Sequence, residues 1–104
     1  MNDNEAIAML GALSQETRLG IVRYLVGRGD GGAAAGEIAQ AVGAIPSRAS
    51  FHLSALEQAG LIKSERQSRK IIYRARLDNL GGLVSFMLND CCGSDPDIRA
   101  CCGL

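Results

Sequence analysis

The stretch from Pro46 to Gly60, PSRASFHLSALEQAG, limits the possible folds of this chain more than any other. Its apolar residues recur with the spacing of one buried stripe along a helix: Ala49, Leu53 and Leu56, with Gly60 closing the row. Pro46 suits a first helical turn, where its missing N–H needs no partner. Gly60 is a suitable residue at the C-terminal end. The sequence therefore predicts an amphipathic helix here.

The other face of this helix carries short hydroxyls, a guanidinium and an imidazole, which are poor core groups but good donors to phosphates and base edges. These residues are Ser47, Arg48, Ser50, His52 and Ser54. They predict a DNA recognition helix. The alternative, an ordinary amphipathic surface helix, fits the periodicity equally well, so the flanking sequence has to decide.

The residues before and after this helix favour DNA binding. A short helix is predicted over residues 34–42, and a three-residue turn over 43–45 joins it to the recognition helix, as in a helix-turn-helix. After the recognition helix, β-rich segments at 61–65 and 70–76 flank a polar turn at 67–69, which predicts a two-stranded wing. Wing residues expected to contact the DNA backbone are Arg66, Arg69 and Lys70.

The distribution of charge supports the same interpretation, although the formal net charge of the chain is zero. Residues 44–76 carry seven basic side chains against two acidic ones, while the segments before and after are net acidic. A basic centre is the electrostatic pattern of a phosphate-binding face. A solvated hairpin of mixed charge is the alternative.

Three further helices complete the prediction. A first helix is expected over 3–13, and a second after Ser14 as N-cap, with its inward face formed by Leu19, Val22, Leu25 and Val26. A last helix is expected after Asp78, with apolar residues at helical spacing: Leu80, Leu83, Val84, Met87 and Leu88. Because this helix is more apolar than one small core needs, we expect it to form a homodimer interface together with the first helix.

The predicted fold is thus mainly α with a small β-hairpin: a winged helix-turn-helix of about five helices plus a two-stranded wing, acting as a homodimer on operator DNA. Residues 1–90 would form the DNA-binding and dimerisation domain, and residues 91–104 a cysteine-rich tail. No apolar run reaches the roughly 18 residues of a membrane span, and no basic leader opens the chain, so a cytoplasmic protein is expected.

Three blocks of sequence resemble the ArsR/SmtB family of winged-helix metalloregulators: LSQETRLGIVRYL at 13–25, SFHLSALEQAGLIKSER at 50–66, and KIIYRARL at 70–77. The resemblance implies a dimeric repressor that releases its operator when metal binds. The chain departs from the family pattern in three places. It has no Cys-x-Cys pair near residues 33–36, its only histidine is His52, and Ile45 replaces the usual hydroxyl cap. The first two departures remove the common sensor sites.

The remaining sensor candidates are two vicinal cysteine pairs in the tail, Cys91–Cys92 and Cys101–Cys102. Cytoplasmic thiols serve in metal or redox chemistry more often than in disulfides. Thiolates select soft ions, so four of them fit a zinc or cadmium site and three fit trivalent arsenic. By resemblance to arsenical repressors of the family, the expected ligands are Cys91, Cys92 and Cys102, with Cys101 as substitute, and the expected inducer is arsenite, methylarsenite or antimonite.

The sequence is also compatible with other functions. A thiol-redox switch would use the same cysteines without metal. A disordered tail with incidental cysteines would have no function of its own. A thiol reductase or metal chaperone would leave the recognition helix and basic wing without a role. Other enzyme classes are disfavoured, because the chain has no phosphate-binding glycine loop and no histidine near a nucleophile.

Overall fold

The computed structural model describes all 104 residues and contains six α-helices and a three-stranded antiparallel sheet. The helices are α1 (Asp3–Leu13), α2 (Glu16–Arg28), α3 (Ala35–Val42), α4 (Pro46–Gln58), α5 (Leu77–Ser85) and α6 (Pro96–Cys101). The strands are β1 (Ala33–Ala34), β2 (Ile62–Gln67) and β3 (Lys70–Ala75). A π-helical segment, Phe86–Cys91, continues α5. This architecture confirms the predicted winged helix-turn-helix and adds a sixth helix and a third strand.

Helix α1 begins with a capping box. The Asn2 side chain accepts a hydrogen bond from the Glu5 amide at 2.8 Å, and the Glu5 carboxylate accepts one from the Asn2 amide at 3.1 Å. The cap predicted for α2 is wrong by one residue. Gln15 is the N-cap, and its side chain accepts from the Arg18 amide, whereas the Ser14 hydroxyl donates back to Gly11 at the end of α1. Ser14 terminates one helix instead of starting the next.

The buried face of α2 is also rotated from the prediction. Ile21, Val22 and Leu25 are buried, while Leu19 and Val26 are 44% and 45% exposed. Val22 and Leu25 belong to two possible apolar stripes of α2, one that continues to Leu19 and Val26 and one that includes Ile21. Both stripes fit a helical period. Packing against the other helices in the shared core selects the stripe that contains Ile21 and Leu25.

The helix-turn-helix follows the predicted pattern closely. Gly43 ends α3 in the left-handed conformation, at φ 68°, which glycine adopts without a steric penalty. Ile45 makes no side-chain cap for α4, and Pro46 occupies the first turn, where no N–H partner is needed. The predicted stripe of α4 is buried in the core: Ala49, Leu53 and Leu56 are each 1% exposed or less. These contacts fix which face of α4 points to solvent.

The wing is part of a sheet with strand order β1-β3-β2. In strand β1, Ala33 pairs with Tyr73 of β3. The sequence did not predict this strand, because its two residues are alanines, which favour helices. Just before β1, Gly32 has φ of +60°, and a Cβ there would lie 2.4 Å from the Tyr73 carbonyl oxygen. Only glycine permits this close approach of the two backbones.

The C-terminal helical region buries Leu83 and Leu88 but leaves Val84 58% exposed and Met87 36% exposed. Asp78 does not cap α5 as predicted. Arg76 occupies the cap position, and its guanidinium donates to the Asp78 carboxylate at 2.9 Å. The helical region runs through residue 90 as far as Cys91, and α6 follows after a turn whose Asp95 side chain caps it.

Candidate nucleic-acid interface

The exposed face of α4 contains most of the predicted contact residues. The side chains of Ser47, Arg48, Ser50 and Ser54 are all exposed, on the side opposite the buried stripe. The hydroxyls and the guanidinium are thus available to donate hydrogen bonds outward. Their position agrees with a helix that enters a groove of DNA, while their contacts to DNA remain a prediction.

His52 does not lie on this exposed face, and the prediction of an exposed imidazole is wrong. The residue is only 7% exposed, and its Nδ1 accepts a hydrogen bond from Nε of Arg18 at 3.0 Å. The physical reason is the helical period. His52 is three positions after Ala49, and residues three apart lie on the same face of a helix. Its side chain therefore lies beside the buried stripe and meets Arg18 of α2. Burial, followed by the positive charges of Arg18 and Arg48, lowers the pKa of His52 and so favours the neutral imidazole.

Phe51 is an exposed residue of α4 that the sequence analysis did not select. It is 64% exposed, and the guanidinium carbon of Arg18 lies 5.8 Å from its ring centroid, within the range of a cation–π contact. The rings of Phe51 and His52 meet edge to face at 5.7 Å. The signal available in the sequence was an aromatic residue two positions from the buried stripe, in a helix face that is otherwise polar.

The wing extends three predicted basic residues into solvent. Arg66, Arg69 and Lys70 are exposed at or beside the β2–β3 turn. Arg74 is also basic, but its side chain is half-buried and already paired within the protein. It donates to the Asp30 carbonyl at 2.6 Å and to the Glu65 carboxylate at 2.9 Å. A further hydrogen bond, from the Ser64 hydroxyl to Glu57 at 2.7 Å, ties the wing to the end of α4. The wing and α4 therefore form one surface.

The four cysteines of the tail are all free thiols. Cys91, Cys101 and Cys102 are exposed and Cys92 is half-buried. Hydrogen bonding with the neighbouring Cys91 thiol, partial burial, and the charges of Cys91 and Asp95 raise the pKa of Cys92. The two pairs do not converge. Nowhere in the chain do three or more Cys, His, Asp or Glu side chains form a group that could hold a metal ion.

Cys91 borders an apolar groove between α1 and the C-terminal helical region. This groove has a volume of about 690 Å³, and its apolar walls include Ile7, Leu10, Phe86 and Met87. Ile7 is 65% exposed and Leu10 is 42% exposed, although both belong to a helix that packs against the core. We call this surface the α1 groove. It is the region in which the sequence predicted a dimer interface.

Comparison with known proteins agrees with the geometry of α3, α4 and the wing. Residues 13–65 match a family model described as a helix-turn-helix domain. The chain is 32% identical over 88 residues to the HTH-type transcriptional regulator YgaV of Escherichia coli K12, covering 85% of this chain and 87% of that protein. It also superposes on an ArsR-like transcriptional regulator from Rhodococcus sp. RHA1 with TM-score 0.77 and 28% identity, covering 93% and 89% of the two chains. This chain belongs to the ArsR-like family of winged helix-turn-helix transcriptional regulators.

Another structure similar to this ArsR-like regulator is described as a homodimeric winged helix-turn-helix DNA-binding domain. It is Mb0332 from Mycobacterium bovis, with TM-score 0.67, 25% identity, and 91% and 94% of the two chains covered. The Escherichia coli and Rhodococcus proteins are described as transcriptional regulators, and Mb0332 as a possible ArsR-family transcriptional regulator. No helix of the present regulator has the length and apolar character that crossing a bilayer requires.

Proposed function

We propose that this regulator is a homodimeric repressor that binds operator DNA through α4 and the wing, and that a trivalent arsenical bound by its C-terminal thiols releases it. The DNA-binding part is supported by the exposed hydroxyls and guanidinium of α4 and by the three exposed cations of the wing. Cations at the wing hold phosphates and fix orientation, while α4 contacts the base edges.

The dimer is supported by the α1 groove. Several large apolar side chains lie together in this groove and are exposed to water. A contiguous apolar patch of this kind is unfavourable in free energy unless a partner covers it, whereas single exposed apolar residues are common. A second copy that packs its own α1 and C-terminal helix on this groove would produce a two-fold symmetric dimer. Two α4 helices would then bind neighbouring half-sites, about one DNA turn apart, in a palindromic operator.

The inducer is proposed from one observation above all: Cys91 and Cys92, two free thiols adjacent in sequence, lie at the end of the helical segment that borders the α1 groove. Vicinal thiolates suit a soft ion with a preference for sulfur. When three thiols replace the three oxygens of As(OH)₃, their protons leave with those oxygens as three water molecules, so no net proton is released. Zinc or cadmium would instead release the thiol protons, and binding of either metal ion would strengthen as the pH rises. Zinc or cadmium on four thiolates, and thiol oxidation, are the competing possibilities for the same residues.

A three-thiolate site needs a third ligand, which we assign to Cys102, with Cys101 as substitute. Because the two cysteine pairs do not converge in the folded chain, the tail has to move when it binds the ion, or a second copy has to supply the third thiol. The segment that would move is short and exposed: α6 spans only Pro96–Cys101 and buries none of its residues. Its displacement would therefore disrupt little of the core.

Release of DNA would follow from the position of the thiols. A change at Cys91 alters the wall of the α1 groove, and a shift of the two subunits there changes the distance between the two α4 helices. The inducer must bind the DNA-free form more tightly than the DNA-bound form. A tenfold loss of operator affinity corresponds to about 1.4 kcal/mol of coupling free energy.

The test is fluorescence anisotropy of labelled promoter DNA from the protein's own operon, titrated with the reduced protein. Arsenite, methylarsenite, antimonite, cadmium, zinc and peroxide are then added separately to the complex. Release by the arsenicals or antimonite alone is the expected result. Release by zinc or cadmium alone would replace the arsenical with a four-cysteine metal site, and release by peroxide alone would replace it with a redox switch.

Two double variants identify the ligands. Cys91→Ser/Cys92→Ser should bind DNA as the wild type does and no longer respond to arsenite. Cys101→Ser/Cys102→Ser should weaken the response, because only two thiols remain. If the first variant still released DNA with arsenite, the assignment of the sensor would be wrong. If the wild-type protein bound none of its promoter DNA, the repressor proposal itself would fail.

A further inference from the structure

Phe51 is not among the apolar side chains that form or pack against the hydrophobic core. It lies at the centre of the solvent-facing side of α4, and 64% of its surface is exposed. Its neighbours on that side, one helical turn away in each direction, are Ser47 and Ser54, which are both polar and exposed. An isolated apolar residue on a protein surface is common. An aromatic ring in the middle of the face that meets DNA is a different case, because DNA itself presents few apolar groups.

The apolar group that the major groove does present is the C5-methyl of thymine. Phosphates are charged, and most other groups that distinguish the base pairs in the major groove are hydrogen-bond donors and acceptors. A phenyl ring at the centre of a recognition helix therefore matches a thymine methyl group better than any other feature of B-DNA. The hydroxyls of Ser47 and Ser54 on either side can donate to or accept from neighbouring base edges.

The Phe51 ring is also held in place from the protein side. The Arg18 guanidinium lies 5.8 Å from the ring centroid, and Arg18 is itself fixed by its 3.0 Å hydrogen bond to His52. Helix α2 thus braces a side chain of α4 at the surface. A braced ring loses less conformational entropy on binding than a free one, so its contact contributes more to affinity.

We propose that Phe51 is a specificity-determining residue of this regulator, which selects operators with thymine by contact between its ring and the thymine methyl group. Arg18 and His52 act as positioning residues for the ring. This inference rests on the proposed function, because it assumes that α4 enters the major groove of an operator.

The test begins with selection of the preferred site from random duplex DNA by the full-length protein. Each thymine of one half-site is then replaced by deoxyuridine, which removes only the methyl group. For the wild type, affinity should fall about fourfold at one position, the change that corresponds to burying one methyl group. Phe51→Ala should bind the thymine and deoxyuridine operators equally, while Phe51→Leu should keep part of the difference.

Ser50→Ala serves as the matched control on the same helix. It should weaken binding to both operators by the same factor and leave the dependence on the methyl group unchanged. Thermal unfolding of each variant verifies that the fold is intact. Because Phe51 is exposed, we expect Phe51→Ala to unfold within a few degrees of the wild type.

Several results would overturn the inference. They are equal affinity of the wild type for every deoxyuridine operator, a selected site without thymine in its half-sites, or a methyl dependence that persists in Phe51→Ala. The first two leave the repressor proposal standing, because specific DNA binding has then been observed. Failure of the wild-type protein to select any sequence would instead contradict the proposed function.

Discussion

Arg18 of α2 donates its Nε proton to Nδ1 of His52 on α4, at 3.0 Å, and this hydrogen bond joins the two helices beside the proposed DNA-binding face. An imidazole nitrogen can accept a proton in a hydrogen bond only when it carries none itself. His52 must therefore be neutral for the contact to exist. The same bond orients the Arg18 guanidinium over the ring of Phe51.

The first prediction concerns pH. Burial and the charges of Arg18 and Arg48 lower the pKa of His52 in the folded chain. The unfolded chain then binds more protons below about pH 6.5, so acidification through that value should reduce the free energy of unfolding. The contribution of neutral His52 to the free energy of unfolding is fully present above that pH and is lost as the pH falls toward the lower pKa of the folded state. Urea unfolding at a series of pH values measures it.

The control for this prediction is His52→Gln, whose side-chain oxygen can accept from Arg18 but does not titrate. Because His52 is the only histidine of the chain, this variant should show no change in stability between pH 7 and about pH 5.5. If His52→Gln lost stability on acidification as the wild type does, another group would titrate in this range and the Arg18–His52 bond would have no such role.

A second prediction tests which face of α2 is inside. Leu25 is fully buried and Leu19 is 44% exposed, although the sequence pattern placed both on the inward face. Leu25→Ala should reduce the free energy of unfolding by about 2–5 kcal/mol, as buried leucines do. Leu19→Ala should change it by less than about 1 kcal/mol. Chemical denaturation of the two variants measures the difference, and equal losses would contradict the observed rotation of α2.

A third prediction concerns the α1 groove. Ile7→Lys places a charge in the apolar surface that a second copy would cover, and burial of an unpaired ammonium is strongly unfavourable. We expect the dimer dissociation constant to rise about tenfold or more, measured by sedimentation. Leu19→Lys is the matched control, since Leu19 is also exposed but does not line the groove. If both variants dimerised like the wild type, the interface would lie elsewhere.

A fourth prediction concerns the thiols. The pKa of Cys92 is raised first by the hydrogen bond with Cys91 and also by the negative charges of Cys91 and Asp95. Cys91→Ala removes the hydrogen bond and one of these charges, so the pKa of Cys92 should fall toward the ordinary thiol value. The rate of alkylation of Cys92 against pH, followed by mass spectrometry, measures the shift. A profile that did not move would show that Cys91 has no influence on its neighbour.

The sequence predicted α4 well because its residues satisfy several independent requirements at once. The stripe of Ala49, Leu53 and Leu56 has a single helical period, Pro46 can stand only near the start, and Gly43 supplies the left-handed turn before it. The wing was predicted for the same reason, since β-rich segments flank a short polar turn. In these parts, local pattern and tertiary packing favour the same structure.

Where the sequence allowed two arrangements, only tertiary contacts decided between them. In α2, apolar residues on both sides of Val22 left the inward face open, and the shared core selected Ile21 and Leu25. Strand β1 exists because Ala33 pairs with Tyr73, a partner 40 positions away that no local pattern indicates. His52 looked polar and exposed until its position facing Arg18 was known.

The sequence by itself thus determined the order of the first five helices and the two wing strands, together with the presence of four thiols in the tail. Periodicity and turn chemistry are local properties, so they can be read along the chain. The tertiary structure decided which side chains meet: Arg18 with His52 and Phe51, and Cys91 with the α1 groove. These contacts depend on how helices distant in sequence pack together, and the buried area that fixes this packing belongs to the whole fold.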